Sequence, residues 1–316
     1  MDGLIQMTKG NILVAAFALM LCAVAASAQT RSTNPSTPAT PPAPPAWLDR
    51  RVREEVAKFE GTVSLYAKNL DTGAEYSLNG EGRVRTASTI KVAVMIEAFA
   101  LVAEGRAKWA DELVLTKEKK VSGSGILPEF ADGLHLTLRD AVNLMMTMSD
   151  NTATNLVVDA LGGADAVNAR MQSLGFTDTR LMRKVGGGGE SEEGKKEENK
   201  HFGLGRTSPR EMVAILERLE RGEIVSPAAS KEMIELMKRE QTKDGIWREL
   251  WQTPTATKSG ALDALRSNVG IIYHQRGRIA LAVTCDDMPE PNWTADNPAF
   301  LLMSRLSEII IDGLGK

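Results

Sequence analysis

Val92, Ala93, Met95, Ile96 and Ala98 to Leu101 form an almost unbroken apolar run, and no other stretch constrains the fold as tightly. A helix that is apolar on every side belongs inside a core rather than on a surface, so this segment predicts a rigid central element. Just before it stands Arg85-Thr86-Ala87-Ser88-Thr89-Ile90-Lys91. Ser88 falls at the mouth of the helix, and Lys91 lies about one turn further along the same face. A serine hydroxyl is a poor nucleophile until a base takes its proton, and burial lowers the pKa of a lysine ammonium enough to make one. Amides at a helix start also polarise a carbonyl held there. On its own, the tetrapeptide fits an N-capping serine and a surface lysine equally well.

At 316 residues the chain has room for one large domain or two intimately packed ones. A formal net charge of -3 with 25% charged residues offers no basic surplus for nucleic acid. Lys9 precedes the apolar run Ile12 to Ala25, followed by Ala26-Ser27-Ala28, which reads as a signal peptide over 1–28 cleaved before Gln29. A retained anchor is the alternative, although a span normally needs about 20 apolar residues. Cleavage removes Cys22 and leaves Cys285 alone, so no internal disulfide is expected. Residues 29–46, rich in Pro, Ser and Thr, read as an extended tether, and the folded part is expected over 47–316. After processing, an exported periplasmic or secreted monomer with no stable membrane insertion is expected.

Leu48, Val52, Val56 and Phe59 recur at helical spacing, and Val63, Leu65 and Ala67 alternate toward a turn at Asp71-Thr72-Gly73. Tyr76 and Leu78 continue as a second strand, whereas Trp109 to Lys120 reads as a connector. Thr137 caps a helix that ends at Met148 and delivers Ser149-Asp150-Asn151. Glu190 to Lys200, with five glutamates and three lysines after four glycines, reads as a mobile solvent loop. Strands resume at Thr257 to Ala261, Val269 to Tyr273 and Ile279 to Thr284, before a last helix from Pro298. With strands at both ends, the expected architecture is α/β of the α+β kind. Five antiparallel strands from 47–85 and 255–316 form one sheet flanked by helices, with an all-helical subdomain over 86–254 inserted between them.

Three polar elements recur in order: Ser88-x-x-Lys91, Ser149-Asp150-Asn151 and Lys258-Ser259-Gly260. Together they resemble the class A β-lactamases and the related penicillin-recognising D,D-peptidases, whose third signature is Lys-Thr-Gly. The resemblance runs from about Trp47 to the C-terminus and implies a β-lactamase/transpeptidase-like fold. It implies that Ser88 is the acylated nucleophile, Lys91 its proton acceptor, and Ser149 the hydroxyl that protonates the leaving nitrogen. Lys258 would supply positive charge near Ser149 and the substrate carboxylate, and Ser259 would hydrogen-bond that carboxylate. Asn151 would bind the substrate's side-chain amide, and Asp150 would hold its loop together from within. The amides of Ser88 and Ala261, the latter following Gly260, would form the oxyanion hole.

The chain also departs from the family pattern. Class A enzymes carry Glu-x-x-Leu-Asn, whose glutamate activates the water that removes the acyl group. Counting on from Arg180-Leu181-Met182-Arg183 puts Val185 at the glutamate position and Gly189 at the asparagine position. Glu190, Glu192 and Glu193 are the candidates for a substitute base, or else they simply keep the loop in solvent. Val269 stands where many members have an arginine on the strand; Arg266, three residues earlier, either meets the substrate carboxylate from a shifted position or faces solvent. Ser122 to Gly125 replaces the usual aromatic gate, which implies a more open cleft.

The resemblance therefore implies a serine hydrolase that opens β-lactam amides through Ser88 and releases the product slowly. The rival readings are a D,D-peptidase or other peptide or ester hydrolase, and a non-catalytic cell-wall-binding protein. A β-lactam or a peptide containing D-amino acids is the expected partner. No cofactor is expected, and His135, His201 and His274 show no metal-ligand spacing.

Overall fold

The computed structural model describes residues 43–315. The leader expected over 1–28 and residues 29–42 of the tether expected over 29–46 lie outside the described residues, and Ala46 at the tether's end already belongs to a helix. The chain enters as helix α1 (Ala46–Val56), forms the hairpin β1 (Thr62–Asn69) and β2 (Glu75–Leu78), and passes a short strand β3 (Val84–Arg85) into helix α2 (Lys91–Ala103). Two short strands, β4 (Glu112–Val114) and β5 (His135–Thr137), pair within the stretch expected to be a mere connector and its sequel. Helices α3 (Leu138–Thr147), α4 (Asn151–Ala160) and α5 (Ala164–Ser173) follow. Strand β6 (Arg180–Leu181), helix α6 (Glu192–Lys195) and strand β7 (Gly205–Thr207) lead to α7 (Pro209–Glu220) and α8 (Pro227–Met237). The chain ends with β8 (Thr255–Leu262), β9 (Leu265–His274), β10 (Gly277–Asp286) and α9 (Pro298–Leu314).

Local chemistry fixes many of these boundaries. Thr137 and Asp140 form a reciprocal capping box at the start of α3. Ser208, Ser226 and Asn297 each cap a helix whose first turn contains proline, a residue with no N–H to leave unsatisfied there.

The main sheet is antiparallel in the order β2-β1-β10-β9-β8, so both ends of the chain build it and the helical block lies between them in sequence. Alternation along β10 assigns its two faces. Ile279, Leu281, Val283 and Cys285 pack with α1 and α9, whereas the small Ala280 and Ala282 face the helical side. Helix α2 is buried at every position from Lys91 to Leu101, as its all-round apolarity predicts. Strand β8 forms one edge of the sheet, alongside the turn that carries Ser88. A second sheet, β3-β7-β6, ties the Arg180 stretch beneath that turn; Thr86 donates its amide to the Gly205 carbonyl at 3.0 Å.

Candidate active site

Ser88 lies in a 3-10 turn, Ala87–Ile90, that runs directly into α2 and sets Lys91 three residues on. Two non-glycine residues here adopt positive φ: Ala87 at 45° and Ser149 at 55°. Such backbone is costly for residues with a Cβ, and it persists where the surroundings over-determine it. Lys91 is 0% exposed. Its Nζ donates to the Ser149 carbonyl at 2.6 Å, to Ser149 Oγ at 3.1 Å and to Asn151 Oδ1 at 3.1 Å. All three acceptors are uncharged. Burial first, and then the Lys258 charge, hold the Lys91 pKa well below the ordinary lysine value, against the opposing pull of Asp150 and Glu240.

Asp150 is fully buried and works inward. Its carboxylate caps α4 by accepting the Ala153 amide and also accepts the amides of Ile126 and Leu127 at 2.7 and 2.9 Å. Gly125 makes this approach feasible: its φ is +110°, and a Cβ there would overlap the Asp150 carboxylate. Asn151 donates its Nδ2 to the Ser122 carbonyl at 3.0 Å, so its amide bridges Lys91 and the glycine-rich loop.

The facing wall is β8. Lys258 is as buried as Lys91, but it meets a carboxylate: Glu240 Oε1 at 2.7 Å, with both side chains 0% exposed. Ser259 donates both its amide and its hydroxyl to the same oxygen, at 2.8 and 2.7 Å, and Thr257 Oγ1 donates to Oε2 at 2.9 Å. Sequence reasoning missed Glu240 entirely. Gly260 presses against the nucleophile turn, where a Cβ would come within 2.9 Å of the Ser88 amide. The Ser88 turn and Ala261 thereby share one cleft.

Arg266 departs from both sequence readings. It is fully buried, neither facing solvent nor lining the cleft. Its guanidinium donates to the carbonyls of Leu262, Leu265 and Asn292 and lies 4.5 Å from the Trp293 ring centroid and 5.3 Å from that of Phe300. Its role is to brace the wall that those two rings form.

The cleft has a volume of about 640 Å³. Ser88, Ser149, Asn151, Ser259, Gly260 and Ala261 line it, together with Gly123, Ser124, Leu262, Trp293 and Phe300. None of the described residues lining it carries a charged side chain.

Val185 also lines the cleft, held by a reciprocal pair of bonds between its backbone and the Asn155 side chain, 2.9 and 3.0 Å long. The segment after it is exposed over most of its length, as its composition predicts, but it is folded into short helical turns and tethered at several points. Ser191 is 0% exposed and caps α6, and Gly194 packs against the Met182 backbone. Glu193 bonds Arg206, Asn199 and Lys196, while Glu192 pairs with Lys195. Glu193 faces a separate hollow with Arg83 and His201, and Glu190 is exposed. The structure thus brings none of Glu190, Glu192 and Glu193 to the cleft, because paired cations hold two of them elsewhere.

A family model described as the beta-lactamase enzyme family matches residues 47–314. The chain is 26% identical to the β-lactamase AER-1 of Aeromonas hydrophila over 230 residues, covering 72% of this chain and 73% of that protein. It superposes on the crystal structure of a β-lactamase from Sphaerobacter thermophilus with a TM-score of 0.73 and 28% identity, covering 85% of this chain and 96% of that one. A mutant of PBP-A, solved as an acyl-enzyme complex with penicillin G, gives a TM-score of 0.72 at 25% identity over 84% of this chain and 95% of its own.

Proposed function

The chain belongs to the beta-lactamase enzyme family, and on that premise we propose that it opens β-lactam amides through a covalent ester on Ser88 and hydrolyses that ester slowly. The observation that supports this reading is a cleft lined by both Ser88 and Ser149, with Lys91 Nζ 3.1 Å from Ser149 Oγ, that has Val185 and no carboxylate among its described lining residues.

In this reading Lys91, which as a neutral amine gives hydrogens to only two of its three oxygen neighbours and keeps a lone pair for Ser88, takes the proton from Ser88 Oγ as the oxygen attacks the lactam carbonyl. Uncharged acceptors suit that task, because a carboxylate against Nζ would favour the ammonium. The Ser88 and Ala261 amides stabilise the negative charge that develops on the carbonyl oxygen. Ser149 then gives its hydroxyl proton to the departing nitrogen and is reprotonated by Lys91 across the 3.1 Å contact. The C–N bond breaks, an ester on Ser88 remains, and the relay ends with Lys91 neutral again. Lys258 keeps positive charge beside Lys91 and so helps hold it deprotonated. Asp150 positions Ser149 and Asn151 through the loop that it ties down. Hydrolysis of the ester needs a group that takes a proton from water, and valine offers none.

Export to the periplasm or beyond forms part of the same reading. Among the described residues no helix is long and apolar enough to cross a membrane.

Intact mass spectrometry of the purified mature protein, followed over time after mixing with benzylpenicillin, tests the reading. We expect an adduct that persists for minutes, is absent from Ser88→Ala, and is released at least about tenfold faster in Val185→Glu. Rapid loss of drug with only free wild-type enzyme would refute slow deacylation. No adduct and no loss of drug would refute β-lactam chemistry altogether.

A further inference from the structure

Trp293 is a large aromatic side chain that the fold leaves open to water. It stands on the segment between β10 and α9, is 63% exposed, and lines the cleft together with Leu262 and Phe300. Exposed apolar surface of this size in a cleft marks a place of contact. The segment is also pinned. Arg266, fully buried near the start of β9, donates to the carbonyls of Leu262 and Leu265 at the β8–β9 turn and to that of Asn292, next to Trp293. Its guanidinium lies over the Trp293 ring, 4.5 Å from the centroid. Because Arg266 is buried and does not line the cleft, the ring face that it covers is the inner one, and the other face is left for the cleft. The indole is thus ordered before anything binds, and little entropy remains to be lost there. Its surroundings say what it takes. A second cation is disfavoured, since Arg266 already holds positive charge against the opposite face. Leu262 and Phe300, which also meet Arg266, are apolar, so a polar group against them would give up water for nothing. A flat apolar ring would bury area on this wall and stack on the indole.

We propose that this wall recognises an aromatic ring carried by the acyl donor, and that Trp293 sets specificity by stacking that ring on its open face. The chemistry is the same whether the ring hangs from the acyl side chain or from the leaving side of the donor, and the two arms of the test tell these apart. Trp293 takes no part in the proton relay, so it governs which donor is acylated rather than the chemistry itself. The inference rests on Ser88 as the acylated residue, and its test separates the two.

The first pair of probes is benzylpenicillin and the penicillin with a methyl group in place of its benzyl. The second pair is two cephalosporins that differ only in a phenyl or a methyl group on the six-membered ring. Acylation of Ser88 by each is timed by intact mass. The aromatic-to-methyl rate ratio is then compared between wild type and variants, so that intrinsic reactivity cancels. Trp293→Ala should lower that ratio by about fivefold or more in at least one pair, and Trp293→Phe, which keeps a ring, should retain most of it. A response in the first pair puts the ring on the acyl side chain, and one in the second puts it on the leaving side. A change below about fivefold in both pairs, or rates that fall together with their ratios fixed, overturns the inference while the Ser88 reading stands. Labelling by none of the probes overturns both. Should Trp293→Ala fail to fold, Trp293→Leu, apolar but without a ring, is read by the same ratios.

Discussion

The two walls of the cleft each bury a lysine completely, and the protein treats them in opposite ways. Lys91, on the helical wall, has a serine carbonyl, a serine hydroxyl and an asparagine oxygen for partners. Lys258, on the strand wall, has Glu240 at 2.7 Å. Taking an ammonium out of water is expensive, and there are two ways to live with that cost. One is to let the group shed its proton, which makes it a base. The other is to match its charge, which makes it a fixed pole. The contrast teaches that a base and a fixed charge can be made from one residue type a short distance apart, through the choice of neighbours alone. The fixed pole also helps keep the base deprotonated.

The largest expected effect tests the helical side. Lys91→Met should slow acylation of Ser88 by benzylpenicillin by about 10²- to 10⁴-fold, the usual worth of a positioned base. A loss below about tenfold in the single-turnover rate would mean that Lys91 is not the group that takes the proton.

The next concerns the strand side and is read as stability. Glu240→Ala leaves the Lys258 charge unmatched and should cost ~3–5 kcal/mol in chemical unfolding. Combining Glu240→Leu with Lys258→Met removes both charges and should recover most of that loss while activity stays low. If the single replacement proves as stable as the wild type, the pair does not hold the wall.

The smallest effect is a pH dependence. In the folded protein the Lys91 pKa lies well below its unfolded value, for reasons of burial and the Lys258 charge. Between those two values the unfolded chain holds a proton that the folded one has released. Stability therefore rises with pH across that window and levels off above the unfolded lysine value, with a slope of at most about 1.4 kcal/mol per pH unit. Lys91→Met should flatten this contribution when denaturation midpoints are compared across alkaline pH. The wild-type acylation rate should climb over the lower part of the same window and then plateau. A slope that survives Lys91→Met would trace the proton to another group.

Much of the helical wall was legible in the sequence because its information is local. Ser88 and Lys91 are three residues apart on a turn, Ser149 to Asn151 are contiguous, and an apolar run marks the helix between them as core. The antiparallel sheet was legible from the alternation in β1, the apolar runs that form β9 and β10, and the placing of strands at both ends of the chain. The strand wall was legible only in part. Glu240 lies 18 and 19 residues from its partners, within a charged stretch that reads as surface, and nothing in that stretch marks a buried carboxylate. Arg266 was misread for a similar reason. Its partners include carbonyls and a ring from residues 292 and 293, and no carboxylate or pattern announces such a site. The segment after Val185 reads as exposed, which most of it is, but its composition hides how it is tethered. Its acids and bases pair with one another and with Arg206, which makes a tethered structure from residues that individually prefer water.

The pairing of β1 with β10 has a consequence for how this protein comes into being. Thr62 Oγ1 donates to Asp287 Oδ2 across a separation of 225 residues, and β10 sits between β1 and β9. The sheet cannot close until almost the whole chain has been synthesised, and closing so long a loop is entropically costly before any contact rewards it. The helical block, rich in local contacts, is free to gather earlier. Lys258, whose charge helps keep Lys91 deprotonated, is therefore synthesised well after the base it acts on.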